Sequence, residues 1–292
     1  MPVMSVNARH AGRVHRWMRT PNWYRTINNG LTFWQAWNLR LAGMVNHGFS
    51  TRAGGVSEAP FDSLNLSLNV GDDPDYVIEN RRKFAGAIGV DVRRIVVPDQ
   101  VHSNGVRLVT ENDAGAGTFD HGTAIRDTDV LITNTPSLPL ALHFADCACI
   151  FLLDPVHRAI GVAHAGWKGT VEGAVIAAVD GMTREFGTEP KDLLAAIAPS
   201  IGRCCYVVSE DVAKRFYKVF PNEDRVFKQY SSTKWRVDLK VANSILLNRA
   251  GLVDSNIAIS DECTCCDIDE FFSYRRDGSA GRMGGWIALK EE

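Results

Sequence analysis

Three side chains in this sequence have the types best suited to chemistry: His102, Cys147 and His164. Each lies in a short segment that adjoins an apolar run typical of a buried strand. Two imidazoles and one thiolate provide three protein ligands for zinc, and three ligands leave a fourth position open for water or substrate, as in catalytic zinc sites. From composition alone, the alternative is two hydrogen-bonded histidines and a buried cysteine.

The spacing around residue 156 supports a meeting of Cys147 and His164. Residues 154–158 predict a turn between two apolar runs, so these runs are expected to form an antiparallel hairpin. Cys147 lies nine residues before position 156 and His164 eight residues after it. Residues equally far from a turn stand opposite each other, so the two side chains are expected to be neighbours. His102 is distant in the sequence, and only the fold can bring it in.

The same residues are also compatible with a cysteine nucleophile. A thiolate beside an imidazole fits a nucleophile with a histidine base, for which one histidine is enough. Two histidines and one cysteine favour zinc instead. Asp146 is either a turn carboxylate or a group that orients a ligand histidine. The remaining candidate, His143, is interpreted as an ordinary strand residue.

The elements that position these side chains are predicted from periodicity and capping residues. Asp73 and Pro74 predict the start of a helix that stops at Gly89. Apolar residues at three- and four-residue intervals predict a helix from residue 171 to 186, and Ser209 and Asp238 each predict a helix start. Short apolar runs predict strands at residues 43–49, 95–97, 130–133, 138–142, 149–153, 159–163, 193–197 and 257–259. Helices and strands are mixed without strict alternation, which favours an α+β fold with helices outside packed sheets.

The charge distribution suggests a boundary near the amino-terminus. The net charge is −2, but residues 1–57 contain seven Arg and no Asp, Glu or Lys. We expect residues 1–40 to be a basic, flexible extension and residues 41–292 to be a single catalytic domain. A transit peptide is the alternative, although the segment is poor in Ser. No apolar run is long enough for a membrane span, and no global field favours nucleic acid, so we expect a cytoplasmic monomer with neither partner.

The seven cysteines include two tight groups, Cys204-Cys205 and Cys263-Thr264-Cys265-Cys266. Without an export signal, the expected state is reduced thiols. The C-x-x-C spacing of residues 263–266 is a weak signal by itself. No second C-x-x-C is present, so we do not expect a four-thiolate zinc site.

Ordered motifs run through the chain between residues 43 and 286. They are the segment 47–57 (HGFSTRAGGVS), 65–67 (NLS), 79–82 (ENRR), 99–102 (DQVH), 145–147 (ADC), 163–167 (AHAGW), 201–202 (IG), 204–206 (CCY), 272–278 (FSYRRDG) and 281–283 (GRM). With these motifs the chain resembles the laccase-domain or polyphenol-oxidase family, also described as peptidoglycan-editing-factor-like proteins and purine nucleoside phosphorylases.

The resemblance implies an α/β/β/α sandwich like that of the cysteine-hydrolase toxins, with zinc on His102, Cys147 and His164. It also implies phosphorolysis of adenosine, inosine, guanosine and methylthioadenosine, with phosphate as co-substrate, and hydrolytic deamination of adenosine. Arg52 and Asn65 match motif positions, and we expect them to line the substrate pocket. Lys168 stands beside a predicted helix start, where we expect it to favour an anion.

Two rival activities remain open at this point. One is copper-dependent oxidation of phenols, as the family name suggests. Laccase-type copper oxidases are expected to carry many histidines in H-x-H pairs, whereas this chain has eight histidines and no H-x-H. The other is an editing hydrolase for cell-wall precursors that uses Cys147 as its nucleophile.

Overall fold

The computed structural model of the protein describes residues 22–291, which form a mixed arrangement of strands and helices. Within that range the strands are β1 (Trp23–Asn28), β2 (Leu31–Ala36), β3 (Val45–Ser50), β4 (Val106–Leu108), β5 (Val130–Thr133), β6 (Leu140–Phe144), β7 (Ala148–Asp154), β8 (Ala159–Ala165), β9 (Leu194–Ile197), β10 (Val207–Ser209), β11 (Phe227–Ser231), β12 (Lys234–Val237), β13 (Ile257–Ile259) and β14 (Met283–Leu289). The α-helices are α1 (Trp37–Ala42), α2 (Pro74–Ile88), α3 (Trp167–Val171), α4 (Ala174–Phe186), α5 (Glu210–Val219), α6 (Leu239–Arg249) and α7 (Tyr274–Asp277).

Two large sheets lie face to face at the centre of the fold. One has the strand order β1-β2-β3-β14-β6, and the other has the order β13-β9-β7-β8-β5-β4. Helix α2 packs on the outer face of the first sheet, while α3, α4 and α6 pack on the outer face of the second. The layers are therefore helix, sheet, sheet and helix, which confirms the predicted α+β class and the implied α/β/β/α sandwich.

Strand β7 shows how one strand contributes to two cores. Ile150 and Leu152 belong to the cluster under the helices, whereas Cys149 and Phe151 pack between the two sheets. Side chains alternate across a strand, so a strand covered on both faces is apolar at nearly every position. This explains why residues 149–153 form a continuous apolar run in the sequence.

Strands β7 and β8 form the hairpin that the sequence predicts, with a register slightly different from the expected one. Cys149 pairs with His164, and Ala148 pairs with Ala165. Continued by one residue, this register sets Cys147 opposite Gly166. A Cβ at Gly166 would lie 2.6 Å from the Cys147 Sγ, so only glycine leaves room for the sulfur.

Strand β14 lies between β3 and the edge strand β6 in the five-stranded sheet. It pairs antiparallel with β3 on one side and with β6 on the other, and all of its residues are buried. Trp286 packs against Phe84 of α2, with ring centroids 4.8 Å apart, while Ile287 packs between the sheets. The last strand in the described part of the sequence thus joins the edge strand β6 to β1, β2 and β3.

The expected boundary at residue 40 is wrong. Strand β2 pairs with both β1 and β3, and Trp23, Leu31 and Phe33 are buried, so residues 23–36 belong to the five-stranded sheet. The charge pattern misled the prediction because Arg25 of the edge strand β1 lies at the surface in an ion pair with Glu270, so a segment with arginine and no acidic residue can still be a folded strand. The part of the predicted extension at residues 1–21 lies outside the described residues.

Two further predictions need correction. Residues 95–97 form no strand; Val96 makes only an isolated bridge to Leu140 in β6. The helix predicted from residue 171 is divided into α3 and α4, because Gly173 adopts a left-handed conformation with φ of 80°. Within residues 22–291, no helix combines the length and the apolar character needed to cross a membrane.

Candidate metal centre

His102, Cys147 and His164 converge at one end of the β7–β8 hairpin. Their potential ligand atoms all lie within 4.8 Å of one another. The two imidazole rings stand nearly perpendicular, with centroids 4.8 Å apart. His164 is contributed by β8, Cys147 by the bend before β7, and His102 by the loop before β4. Three segments that are distant in the sequence thus bring two nitrogen ligands and one sulfur ligand together.

The buried carboxylate of Asp129 positions both histidines. The Nδ1 of His164 lies 2.7 Å from Asp129 Oδ1, and the amides of His102 and Ser103 donate to the same carboxylate at 3.1 and 2.7 Å. Burial opposes ionisation of Asp129, but the hydrogen bonds from His164 and Ser103 outweigh it and lower the pKa of the carboxyl. With Nδ1 engaged, His164 presents Nε2 as its remaining ring nitrogen.

The conformation of His102 follows from this arrangement. Its φ of 64° lies in the left-handed region, which non-glycine residues rarely adopt. The amides of Val101, His102 and Ser103 all point to the Asp129 carboxylate, at 3.2, 3.1 and 2.7 Å. Three successive amides can converge on one anion only if the backbone turns sharply, so the charge of Asp129 compensates the strain at His102.

The electrostatics favour a thiolate at Cys147. Burial opposes ionisation of the thiol, but His164 and His102 outweigh burial and lower the pKa of Cys147 to about 6. Burial also disfavours charge on His164, but Cys147 and Asp129 raise the pKa of His164 to about 9. The thiolate is the form of cysteine that binds metals and attacks electrophiles, so both uses of this residue are supported.

The donor set fits a zinc ion. Zinc accepts imidazole nitrogen and thiolate sulfur, and catalytic zinc sites use three protein ligands with a fourth position for water or substrate. The carboxylate–histidine pair formed by Asp129 and His164 is the usual support of a zinc-binding imidazole. His102 is exposed while His164 is buried, so the group opens toward solvent on one side.

Asp146 does not orient a ligand histidine, and that interpretation is wrong. Its carboxylate accepts hydrogen bonds from Thr264 Oγ1 at 2.7 Å, from Ser273 Oγ at 3.0 Å and from the amide of Arg275 at 2.7 Å. Asp146 therefore ties the bend that carries Cys147 to the carboxy-terminal segments. The residue that does support His164 is Asp129.

A cavity of about 550 Å³ lies over the three side chains. This is within the usual range for pockets that bind small molecules. Its wall combines aromatic, apolar and basic side chains, among them Trp167, Ile201, Tyr206, Tyr274 and Arg282. The cavity thus offers flat apolar surfaces for a ring system next to a group able to bind a metal.

The cavity wall also carries His143 and Arg282. His143 is 7% exposed, and its Nε2 is buried without a hydrogen-bond partner in the protein. Burial, with the charges of Arg81 and Arg282, keeps the pKa of His143 well below its ordinary value, so the ring is neutral. Burial also lowers the pKa of Arg282, although the Cys147 thiolate partly offsets this. A buried imidazole nitrogen without a partner is suited to a polar atom of a ligand.

Arg52, Asn65 and Lys168 do not line the cavity, contrary to the expectation from the sequence. The guanidinium of Arg52 donates to the carbonyls of Asp62 and Ile268 and lies 4.9 Å from the ring centre of Phe272, so it stabilises its own loop.

Asn65 is fully buried, and its side-chain oxygen accepts from the amides of Arg282 at 2.9 Å and Ser67 at 3.2 Å. It therefore acts on the cavity through the backbone of these two lining residues. Lys168 is exposed, with its Nζ 5.8 Å from the ring centre of Trp167.

Three residues important to the site were missed at the sequence level: Asp129, His143 and Arg282. The signal for Asp129 was a carboxylate directly before a predicted buried strand. Val130 of β5 pairs with Ala163 of β8, which sets Asp129 beside His164. No pattern distinguishes His143 from an ordinary strand residue, because its unpaired nitrogen depends on the surrounding fold.

Taken together, the layered sheets, the cavity and the three converging side chains define an α+β protein with a candidate catalytic metal centre. Residues 46–290 match the family model described as multi-copper polyphenol oxidoreductase laccase. The chain therefore belongs to this laccase-domain family, as its motifs predict.

Named relatives and a solved structure agree with this assignment. Purine nucleoside phosphorylase YlmD of Bacillus subtilis (strain 168) is 40% identical over 245 residues, 84% of this chain and 88% of that protein. Adenosine deaminase RL5, from an unknown prokaryotic organism, is 34% identical over 237 residues, 80% of this chain and 90% of that protein. The crystal structure of YlmD from Geobacillus stearothermophilus matches with a TM-score of 0.85 at 37% identity, over 89% of this chain and 96% of that chain. These names support the interpretation of the chain as an enzyme of the nucleoside phosphorylase or deaminase kind.

Proposed function

We propose that this protein is a zinc-dependent enzyme of purine nucleosides. The proposed reactions are phosphorolysis of adenosine, inosine, guanosine and methylthioadenosine, and hydrolytic deamination of adenosine. The observation that carries the proposal is the convergence of His102, Cys147 and His164, within 4.8 Å of one another, beneath a cavity of about 550 Å³. The names of the relatives indicate which small molecules such a cavity accepts in this family.

His102, Cys147 and His164 would bind the zinc. When bound, zinc supplies polarisation of an oxygen at its open coordination position. Asp129 fixes the ring of His164 through Nδ1 and fixes His102 through its backbone amide, so both nitrogens are oriented before a metal or substrate arrives. The thiolate of Cys147 provides the negative charge that retains a divalent cation in a partly buried place.

The cavity wall would bind the nucleoside. Trp167 and Tyr206 offer aromatic surfaces for a purine ring, and His143 offers a neutral nitrogen without a protein partner. Arg282 replaces Arg52 as the cation expected to contact phosphate, because it lines the cavity and Arg52 does not. The role in phosphate binding passes from Arg52 to Arg282 because Arg282 lies in the cavity wall and Arg52 lies outside it.

A second candidate function rests on a specific observation. Cys147, His164 and Asp129 are connected in the order of a nucleophile, a base and the carboxylate that orients the base. This arrangement would serve a cysteine hydrolase of the cell-wall-editing type. Such an enzyme has no need of His102 as a ligand, so His102 distinguishes the two candidates.

The two candidates can be separated with purified protein and a panel of nucleosides, with and without phosphate. We expect free base and ribose 1-phosphate only with phosphate, and inosine from adenosine in its absence. Cys147→Ala and His102→Ala should each remove the bound metal and reduce turnover by more than about 100-fold, the upper range for a residue that merely supports a ligand. His121→Ala is the matched control for His102, because His121 lines the same cavity outside the ligand group.

Each outcome decides between the candidates. If Cys147→Ala retains full turnover and metal content, the assignment of the site is wrong. If His102→Ala retains turnover while wild-type Cys147 forms a covalent adduct with substrate, the cysteine hydrolase is supported and the zinc enzyme is not. Metal content measured by mass spectrometry is the readout that does not depend on the choice of substrate.

A further inference from the structure

Four cysteines outside the cavity lie in a second cluster. Cys204 and Cys205 follow β9, whereas Cys263 and Cys266 follow β13. These two strands are parallel neighbours, with Ile197 beside Ile259, so the segments after them leave the same edge of the sheet. A bridge between Ser200 and Cys263 continues the pairing toward the sulfurs. Parallel pairing therefore brings together two groups separated by about sixty residues in the sequence.

The sulfur atoms have the spacing that a tetrahedral cation requires. All four lie within 4.8 Å of one another, with Cys204 Sγ and Cys205 Sγ at 3.5 and 3.3 Å from Cys266 Sγ. In a zinc site with metal–sulfur bonds of about 2.3 Å, tetrahedral geometry sets the sulfurs about 3.8 Å apart. A disulfide would need only two of these side chains, whereas the fold gathers four.

The backbone around the cluster accommodates the sulfur atoms. The amide of Gly202 donates to Cys263 Sγ at 3.1 Å. A Cβ at Gly202 would lie 3.1 Å from Cys204 Sγ and 3.3 Å from Cys263 Sγ, so glycine leaves space for both sulfurs.

We propose that Cys204, Cys205, Cys263 and Cys266 form a second, structural metal site that binds zinc or another soft divalent cation through four thiolates. Four protein ligands close the coordination sphere, so this site is structural and not catalytic. The sequence did not predict it, because Cys204 and Cys205 are adjacent and do not form a second C-x-x-C. The proposal is independent of the function proposed for the cavity.

The second site would stabilise one wall of the cavity. Thr264, between two of the cysteines, donates to Asp146 Oδ1 at 2.7 Å, and the amide of Ile201 donates to the Asp146 carbonyl at 2.9 Å. Asp146 directly precedes Cys147, and Ile201 and Tyr206 line the cavity. A cation joining the two cysteine segments would therefore fix the backbone that carries Cys147.

Metal stoichiometry tests the proposal in the full chain, purified under reducing conditions. We expect two metal equivalents per chain in the wild type and one in both Cys266→Ser and Cys147→Ala. Cd²⁺ titration of the metal-stripped protein gives a second readout, because thiolate-to-cadmium absorption scales with the number of Cd–S bonds. Four of the five expected Cd–S bonds belong to the new site, so Cys266→Ser should remove most of this absorption. Cys265→Ser is the matched control, since Cys265 lies in the same turn outside the group of four.

Two results would overturn the proposal. One is a wild type that takes up a single equivalent of Cd²⁺, with an absorption that Cys266→Ser leaves unchanged. The other is peptide mapping that finds Cys266 in a disulfide with Cys204 or Cys205 in protein kept reduced throughout. The wild-type titration decides the matter even if Cys266→Ser does not fold, because the absorption per bound Cd²⁺ distinguishes four Cd–S bonds from one.

Discussion

Residues 22–291 contain two groups of side chains suited to soft metals, and they differ in ligand number and surroundings. The cavity group has two imidazoles and one thiolate, whereas the group after β9 and β13 has four thiolates. The first is supported by the charged carboxylate of Asp129, and the second by backbone amides. Three ligands beside a cavity leave a place for a substrate atom, while four ligands fill a tetrahedral shell. Under the two proposals, one fold uses cysteine once for chemistry and once for structure.

The largest expected effects come from replacing two glycines: Gly166, which faces Cys147 Sγ, and Gly202, which faces the sulfurs of Cys204 and Cys263. A methyl group at residue 166 would lie 2.6 Å from Cys147 Sγ and displace it. Gly166→Ala should therefore reduce nucleoside turnover by at least about 100-fold, which is the upper range for loss of a residue that supports a metal ligand. Gly202→Ala, with its tightest contact at 3.1 Å, should lower metal content at the four-thiolate group and leave the cavity metal in place.

These two alanine variants are compared by metal stoichiometry and by turnover. Gly86→Ala is the control, because a Cβ there meets nothing closer than 3.9 Å. If Gly166→Ala and Gly202→Ala both lose metal from the same group of ligands, the cavity group and the four-thiolate group do not act as separate sites.

The next effect concerns the carboxylate that supports His164. Asp129→Asn removes the charge that orients both histidines, and metal affinity at the cavity group should fall about 10- to 100-fold. Asp154→Asn is a matched control, because Asp154 is also buried and lies 2.9 Å from His157 at the far end of the same hairpin. Zinc titration by competition with a chelator measures the difference. Equal loss of affinity in both variants would mean that the effect comes from stability alone.

A smaller effect should appear in the alkylation of the metal-stripped protein. The histidines lower the pKa of Cys147 to about 6, whereas burial and the neighbouring thiols Cys263 and Cys266 raise the pKa of Cys204 to about 11. A thiol reacts as its thiolate, so Cys147 should gain reactivity as pH rises through about 6 and Cys204 only in strong alkali. After allowance for the weaker nucleophilicity of a low-pKa thiolate, Cys147 should react about 100-fold faster near neutral pH.

Peptide mapping after iodoacetamide treatment at several pH values gives the two rates separately. Asp129→Asn should move the Cys147 profile to higher pH, because His164 then loses the carboxylate that stabilises its positive charge. A Cys147 profile centred at the ordinary pKa of a free thiol would contradict the proposed interaction with the histidines.

The smallest expected effect is at Lys168. Its side chain is exposed and does not line the cavity, so Lys168→Ala should change turnover and KM by less than about twofold, as for most surface substitutions. Arg282→Ala, in the cavity wall, is the comparison and should raise the KM for phosphate much more. A large effect at Lys168 would restore the role that the sequence suggested for it.

Local elements could be predicted from the sequence because their signals are local. Asp73 caps α2 through a bond from the amide of Asp75, and Gly89 ends the helix in a left-handed conformation. Helix α6 likewise begins after Asp238, whose side chain accepts from the amide of Val241. These contacts span two or three residues, so residue types alone are enough to place the helix ends.

Contacts between distant segments could not be predicted in the same way. Residue types identified His102, Cys147 and His164, but the position of Asp129 depends on which strand lies beside β8. The four-thiolate group depends in turn on the parallel pairing of β9 and β13. Apolar periodicity indicates that a strand is buried without indicating its neighbour, so the supporting residues become visible only with the fold.

The position of β14 between β3 and β6 has a consequence for how the protein is made. Because β3 and β6 both pair with residues 283–289, strand β6 is not joined to β1, β2 and β3 until this segment is available. On the ribosome, a nascent chain that has already exposed His102, Cys147 and His164 still lacks the strand that closes its sheet. The segments that carry the three ligands therefore emerge before the five-stranded sheet packed against them is complete, so the thiol of Cys147 exists during synthesis in a chain whose strand edges are still unpaired.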